Sequence, residues 1–243
     1  MQITFVLPTY NEAENLPKLV SALLSLPMPD LKILVADDNS PDGTGAVADQ
    51  LSQANPGRMK VLHRPGKEGL GRAYLDGFQV AMEQGAEVIG QMDSDFSHPP
   101  EKIPEMASHI TKYDLVTGSR YTKGGALDKN WPIWRKGLSA FGNFYARTIL
   151  GIPFRDVTGG FRLYRRETLQ GMPLHRIRSN GYVFQVELAY LGHLCGFKAF
   201  EVPIYFADRK WGESKMSLRI QLEAAVRVWQ VKFAYRDLAA QKR

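Results

Sequence analysis

The sequence predicts an α/β fold built on an open, mostly parallel sheet flanked by helices. Short apolar runs rich in β-branched residues alternate with segments of helical period through the first half of the chain. Three of these runs end in clusters of acidic and hydroxyl residues, and open α/β sheets bind ligands just beyond the carboxyl ends of their strands. The length of 243 residues, with 44% hydrophobic and 23% charged residues, is enough to bury a sizeable core in one or two domains.

Taken in order, Ile3 to Leu7 reads as a buried strand and Leu31 to Ala36 as a second. Between them, residues 11 to 26 carry Leu16, Leu19, Val20, Leu23 and Leu24 at helical spacing, with Asn11 as N-cap and Glu14 three residues on. A helix over Gly43 to Gln53, a strand over Met59 to His63, a helix over Gly69 to Gln84 and a strand over Val88 to Met92 follow. A fifth strand is expected at Leu115 to Thr117, with right-handed crossovers throughout. A helix over Lys136 to Leu150 and a basic amphipathic helix over Ser217 to Lys242 complete the reading. We expect a catalytic domain over residues 1–216 and a helical extension over 217–243.

Charge divides the chain. Residues 1–119 hold 9 Lys and Arg against 16 Asp and Glu, whereas residues 120–243 hold 22 against 9. An acidic half suits a metal that in turn holds phosphates, and a basic half suits phosphate groups, anionic lipid or nucleic acid. The lone Cys195 forms no intrachain disulfide and has no ligand cluster near it in sequence. No run approaches the roughly 18 to 20 apolar residues that cross a bilayer, and no secretory signal opens the chain, so a cytosolic protein is expected.

The chemistry concentrates after the strands. Asp93 and Asp95 leave the strand at Val88 to Met92, and paired carboxylates are hard oxygen ligands suited to Mg²⁺ or Mn²⁺, which would tie the protein to a diphosphate. A lone D-x-D is equally a turn or a helix cap. Asp37 and Asp38 lead into S-P-D-G-T-G, a turn into a helix, and Asp38 is a candidate for a nucleoside or the metal site. The segment Gly66 to Arg72 matches neither phosphate-loop spacing and reads as the start of a helix, and no glycine fingerprint follows the first strand, where Pro8 stands. Arg120 and Arg135 flank a Gly- and Trp-containing segment, and the planar guanidinium fork suits phosphate oxygens. His98 is placed to line the site, and Asp156 is a candidate to orient sugar hydroxyls or a basic residue, or equally a turn-forming Asp.

Seven motifs in order carry a resemblance: Leu7 to Leu16 (LPTYNEAENL), Asp37 to Thr44 (DDNSPDGT), Gly69 to Tyr74 (GLGRAY), Asp93 to Glu101 (DSDFSHPPE), Gly118 to Tyr121 (GSRY), Thr158 to Arg162 (TGGFR) and Arg209 to Ser217 (RKWGESKMS). Along almost its whole length the chain resembles the inverting family 2 glycosyltransferases of GT-A fold, and within them the dolichol-phosphate mannose synthases. The resemblance implies transfer of mannose from GDP-mannose to a polyprenyl or dolichyl monophosphate. It implies that Pro8, Tyr10, Glu12, Ala36 and Asp38 contact the donor nucleoside, that Asp93 and Asp95 hold metal and diphosphate, and that Ser94 touches the donor. Ser97 stands where many relatives have Gln and would reach the metal. Arg209 and Lys215 would clamp the donor diphosphate, and Arg120, Arg135 and Ser139 would receive the acceptor phosphate. A phosphate acceptor is mostly dianionic at neutral pH, with a second pKa near about 6, so it needs little help from a general base.

A polyprenyl acceptor stays in lipid, so the chain is expected to work at the cytoplasmic face of a membrane, bound peripherally or through an anchoring protein partner. The C-terminal helix either lies in the headgroup plane or packs on its own sheet. Other sugars, other acceptors and a non-catalytic binding module are the alternatives. No helix-turn-helix, zinc, RNA-recognition or OB signature supports a nucleic-acid partner for the basic half.

Overall fold

The computed structural model describes residues 1–208 and 218–241. Its centre is a seven-stranded sheet in the order β3-β2-β1-β4-β7-β5-β8. These strands are β1 (Ile3–Thr9), β2 (Leu31–Asp37), β3 (Met59–His63), β4 (Val88–Gln91), β5 (Leu115–Ser119), β7 (Arg162–Arg165) and β8 (Ala199–Pro203). All neighbours pair in parallel except β7, which runs antiparallel between β4 and β5. Because β7 is reversed, the residues leading into it arrive where its neighbours' carboxyl ends lie. A short parallel pair, β6 (Ala126–Leu127) with β9 (Tyr205–Phe206), forms a separate flap.

The period of two along each strand sorts side chains into two cores. Ile3, Phe5 and Leu7 of β1 face one side with Leu31, Ile33 and Val35 of β2, under α1 (Leu16–Leu24), α2 (Thr44–Ala54) and α4 (Ile103–His109). Val6 and Leu34 face the other side, under α3 (Leu70–Glu83), α5 (Ile133–Leu150), α7 (Gly181–Leu194) and α8 (Leu218–Ala234). The remaining helices are α6 (Arg166–Gly171) and α9 (Arg236–Gln241). Buried on nearly every face, α7 is the central helix of the second core.

Two expectations are corrected. The first helix begins at Leu16, not at Asn11, which has a positive φ of 62°. The backbone N–H groups of Asn11, Glu12 and Ala13 donate instead to Ser40 Oγ, Thr44 Oγ1 and Asp42 Oδ2, so the segment is a loop tied to the β2–α2 turn. The C-terminal helix is two helices, broken at Tyr235, whose buried hydroxyl donates to Glu187 of α7 at 2.7 Å. One face of α8 packs inward through Val228 and Val231, while Val226, Trp229 and Phe233 are exposed.

Candidate active site

A cleft of about 530 Å³ opens across the carboxyl ends of β1, β2 and β4 and is closed on the far side by α5 and α7. At its first end, the β1 loop brings Pro8, Tyr10 and Glu12 against Asp38. Asp37 builds this corner, accepting from Thr9 Oγ1 at 2.9 Å and from Ser40 Oγ at 2.6 Å. Asp38 is paired with Arg64, a buried guanidinium that also reaches Asp76 at 2.9 Å and Glu68 at 3.2 Å. Burial raises the pKa of the Asp38 carboxyl, against the pull of Arg64. Lys67 lies 3.6 Å above the centre of the Tyr10 ring, a cation–π contact at the cleft wall.

In the middle stand Asp93, Ser94 and Asp95. Asp93 Oδ1 accepts from the buried Tyr74 hydroxyl at 3.0 Å. Burial and the adjacent Asp93 carboxylate both push the Tyr74 pKa well up, which keeps that hydroxyl a donor. The Asp93 N–H donates to Nδ1 of His98 at 3.2 Å, so the His98 proton sits on Nε2. His98 is buried, stacked on Phe161, and burial lowers its pKa, which favours the neutral ring. Ser94 Oγ donates to Pro8 O at 3.0 Å and ties the middle to the first end. Asp95 accepts from the backbone and hydroxyl of Ser97 at 3.0 and 2.6 Å, across a turn made by Phe96 at φ 60°.

Arg120, Arg135 and Ser139 occupy the other end. Arg120 grips Asp156 through Nε and Nη2, both at 2.8 Å, and Nη2 also reaches Thr158 at 2.6 Å. Burial alone would raise the Asp156 carboxyl, yet the Arg120 guanidinium holds it below its usual value. Glu201 of β8 in turn accepts from the Asp156 N–H at 3.0 Å. Among the described residues Nη1 of Arg120 has no hydrogen-bond partner, and Arg120 lines the cleft. Arg135 lies 3.7 Å from the Trp131 ring centre and donates to Asp208 at 3.1 Å, while Ser139 Oγ meets the Tyr121 hydroxyl at 2.7 Å.

The cleft therefore gathers Pro8, Tyr10, Glu12, Asp38, Asp93, Ser94, Asp95, Arg120, Arg135 and Ser139. It does not gather Ala36, which is buried within β2, or Ser97, which sits behind Asp95 and braces its carboxylate. Arg209 and Lys215 lie outside the described residues. Asp156 orients a basic residue, Arg120, and also caps the following turn by accepting from Gly159 N at 3.0 Å. Sequence reasoning missed Arg64, Lys67 and Gln185, which carry no motif signal of their own. Among the described residues no group of three or more His, Cys, Asp or Glu forms a closed metal cage. Two carboxylates at the cleft suit Mg²⁺ or Mn²⁺, since such ions take one or two protein carboxylates and complete their shell with substrate phosphates and water.

Similarity to known proteins gives the class. The profile of glycosyl transferase family 2 matches residues 4–172, and the chain belongs to that family. It is 46% identical over 213 residues to a polyprenol monophosphomannose synthase of Mycolicibacterium smegmatis, covering 87% of this chain and 80% of that protein. It is 44% identical over 228 residues to an undecaprenyl-phosphate mannosyltransferase of Micrococcus luteus, covering 94% and 93%. Solved structures share the fold at low identity. A mannosyl-3-phosphoglycerate synthase from Rubrobacter xylanophilus aligns with a TM-score of 0.64 at 16% identity, over 100% of this chain and 76% of that one. A Mycobacterium tuberculosis glucosyl-3-phosphoglycerate synthase, solved with Mn²⁺, UDP and glucosyl-3-phosphoglycerate, aligns at 0.62 and 17%, over 95% and 78%.

Proposed function

We propose that this protein transfers mannose from GDP-mannose to a polyprenyl or dolichyl monophosphate with inversion at the anomeric carbon, at the cytoplasmic face of a membrane. The observation that carries the reading is that α5 holds both the acceptor end of the cleft and an unburied apolar face. Arg135 and Ser139 line the cleft together with Trp134, and Trp134 and Phe141 of the same helix are 69% and 64% exposed. Phe144 continues that face, and α8, packed against α5, adds exposed Val226, Trp229 and Phe233. Trp229 Nε1 donates to the Tyr145 hydroxyl at 2.9 Å, joining the two helices along this surface. An amphiphile with a phosphate head and an isoprenoid tail fits that layout, its head at the arginines and its tail leaving over the aromatic face. Among the described residues no helix is long and apolar enough to cross a membrane, so this surface is the proposed means of contact, alone or with an anchoring protein. Residues 1–216 serve as the catalytic domain and 217–243 as a C-terminal extension.

In this reading Tyr10, Glu12 and Asp38 hold the nucleoside, and Arg209 and Lys215 reach its diphosphate. Bound Mg²⁺ or Mn²⁺ at Asp93 and Asp95 would neutralise charge building on the departing diphosphate. Arg120 Nη1 and Arg135 hold the acceptor phosphate, with the Arg120 plane fixed by Asp156. A phosphate oxygen attacks the anomeric carbon as the bond to the diphosphate breaks and its electron pair leaves with GDP. The dianionic nucleophile brings no proton to be removed, so the task of the cleft is alignment and charge stabilisation. The 46% and 44% identical relatives named for polyprenol and undecaprenyl phosphate mannosylation support the same donor sugar and acceptor class. The test is a panel of GDP-mannose, UDP-glucose and UDP-N-acetylglucosamine offered with polyprenyl phosphate and Mg²⁺. Mannolipid from GDP-mannose alone is expected, and preferred turnover of a uridine nucleotide would overturn the donor assignment.

A further inference from the structure

Beneath the middle of the cleft runs a hydrogen-bond chain that the steps above do not use. It starts at Arg162 of β7, whose side chain is fully buried. Nη1 donates to the Tyr164 hydroxyl oxygen at 3.4 Å and to Gln185 O at 2.9 Å, and Nη2 donates to Val157 O at 2.8 Å. A guanidinium has donors only, so the Tyr164 oxygen accepts from it. The Tyr164 proton then goes to Gln91 Oε1 at 3.3 Å. With its oxygen accepting, Gln91 turns Nε2 toward Oε1 of Gln185. The cation at the root thus sets the direction of every bond above it, including amide orientations that are otherwise ambiguous. What reaches the cleft is a committed donor, Nε2 of Gln185.

That nitrogen has no hydrogen-bond partner among the described residues, although Gln185 is only 3% exposed. A buried N–H left unpaired is costly, and a network of four side chains ends on this donor. Gly160 leaves room for a partner. A Cβ built at Gly160 would lie 3.2 Å from Gln185 Nε2 and 3.5 Å from Asp93 Oδ1. An atom in that space has a neutral donor on one side and a carboxylate oxygen on the other, and Gly160, Gln185 and Asp93 all line the cleft. A hydroxyl satisfies both, its oxygen accepting from Gln185 and its hydrogen directed to Asp93. A phosphate oxygen in direct contact is repelled by the carboxylate and could approach it only across a metal ion, and a C–H leaves Nε2 unmet. In the sheet order, the β4 and β7 ends that carry this space lie between the nucleoside end at β1 and β2 and Arg120 after β5. We infer that Gln185 Nε2, seated under Gly160, is a specificity-determining group that binds one hydroxyl of the transferred sugar. The inference rests on the nucleotide-sugar reading of the cleft and adds to it the residue that distinguishes a sugar nucleotide from the bare nucleotide.

The test is calorimetry on the full chain with Mg²⁺, titrating GDP-mannose, GDP and a set of monodeoxy-mannose nucleotides into wild type, Gln185→Met and Gly160→Ala. Losing one neutral hydrogen bond is expected to weaken GDP-mannose by about threefold to tenfold in Gln185→Met while leaving GDP within about twofold. One deoxy sugar should bind worse than mannose to wild type and equally well to Gln185→Met, which identifies the hydroxyl. Gly160→Ala keeps the chain intact and fills the space, so it should show the same sugar-dependent loss, and it carries the test if Gln185→Met fails to fold. Equal losses for GDP and GDP-mannose would overturn the inference, because Nε2 would then hold the cleft floor or a water. So would GDP-mannose affinity unchanged in both variants. A wild-type protein that binds no nucleotide sugar would overturn the functional reading itself and this inference with it, an outcome visible before any variant is compared.

Discussion

Removing the Asp156 carboxylate strands the Arg120 guanidinium in a pocket where the two side chains are only 0% and 9% exposed. Asp156 accepts five bonds, from Arg120 N at 2.9 Å, Arg120 Nε and Nη2 at 2.8 Å each, Gly159 N at 3.0 Å and the Thr158 hydroxyl at 3.5 Å. Breaking a buried pair by deleting one partner costs about 3–5 kcal/mol, chiefly because the other charge is left uncompensated. Asp156→Ala and Arg120→Ala should each lose that amount. The double variant leaves no orphaned charge, so it should lose far less than the sum, with a coupling energy of about 2–3 kcal/mol. Urea denaturation followed by circular dichroism measures all four proteins on one scale. Losses that add to within about 0.5 kcal/mol would show that the pair is not a coupled unit and would refute the claim that Asp156 fixes the Arg120 plane.

Asp95→Asn should abolish metal-dependent nucleotide binding while the melting temperature holds, since the carboxylate stands at a cleft and not in the core; unchanged binding with Mn²⁺ removes Asp95 from the site. Phe141→Glu combined with Phe233→Glu should move the protein from phosphatidylglycerol vesicles into the supernatant on sedimentation, and transfer to a short, water-soluble isoprenyl phosphate should survive. Transfer should fall below about pH 6 as the acceptor phosphate gains a proton, and a profile flat to about pH 5 would count against a dianionic nucleophile. Asp156 behaves in the opposite range. Its folded pKa is depressed below the ordinary 3.8, so its contribution to stability is complete above 3.8 and is lost only as pH falls through the lower folded value. Neutral-to-mildly-acid assays leave the Arg120 grip intact.

The first half of the fold was legible because its strands are uniformly apolar and its helices keep a clean period, as Leu16, Leu19, Val20 and Leu23 do in α1. β7 was not, since Arg-Leu-Tyr-Arg hides a buried strand behind charge: Arg162 is 0% exposed because backbone carbonyls of Val157 and Gln185 receive it. The start of α1 is not legible in the local sequence, because the bonds that hold Asn11 to Ala13 come from residues about thirty positions later, beyond any local pattern. Motif-borne positions such as Asp93, Asp95 and Arg120 reached the cleft, and so did Arg135, which the sequence offers only as a guanidinium flanking the Gly- and Trp-containing segment. Gln185 could not be found that way. It lies in the middle of an apolar helix, and its meaning depends on Arg162, Tyr164 and Gln91 from two different strands.

The most direct test of the central claim is a single-turnover transfer of radiolabelled mannose from GDP-mannose, in parallel, to vesicle-borne polyprenyl monophosphate and to the matching free polyprenol. The expected result is label in the organic phase only with the phosphate, as a β-linked mannosyl phosphate, and lost in Arg135→Ala. Equal transfer to the free alcohol, or an α-linked product, would contradict an inverting displacement by a phosphate held at Arg120 and Arg135.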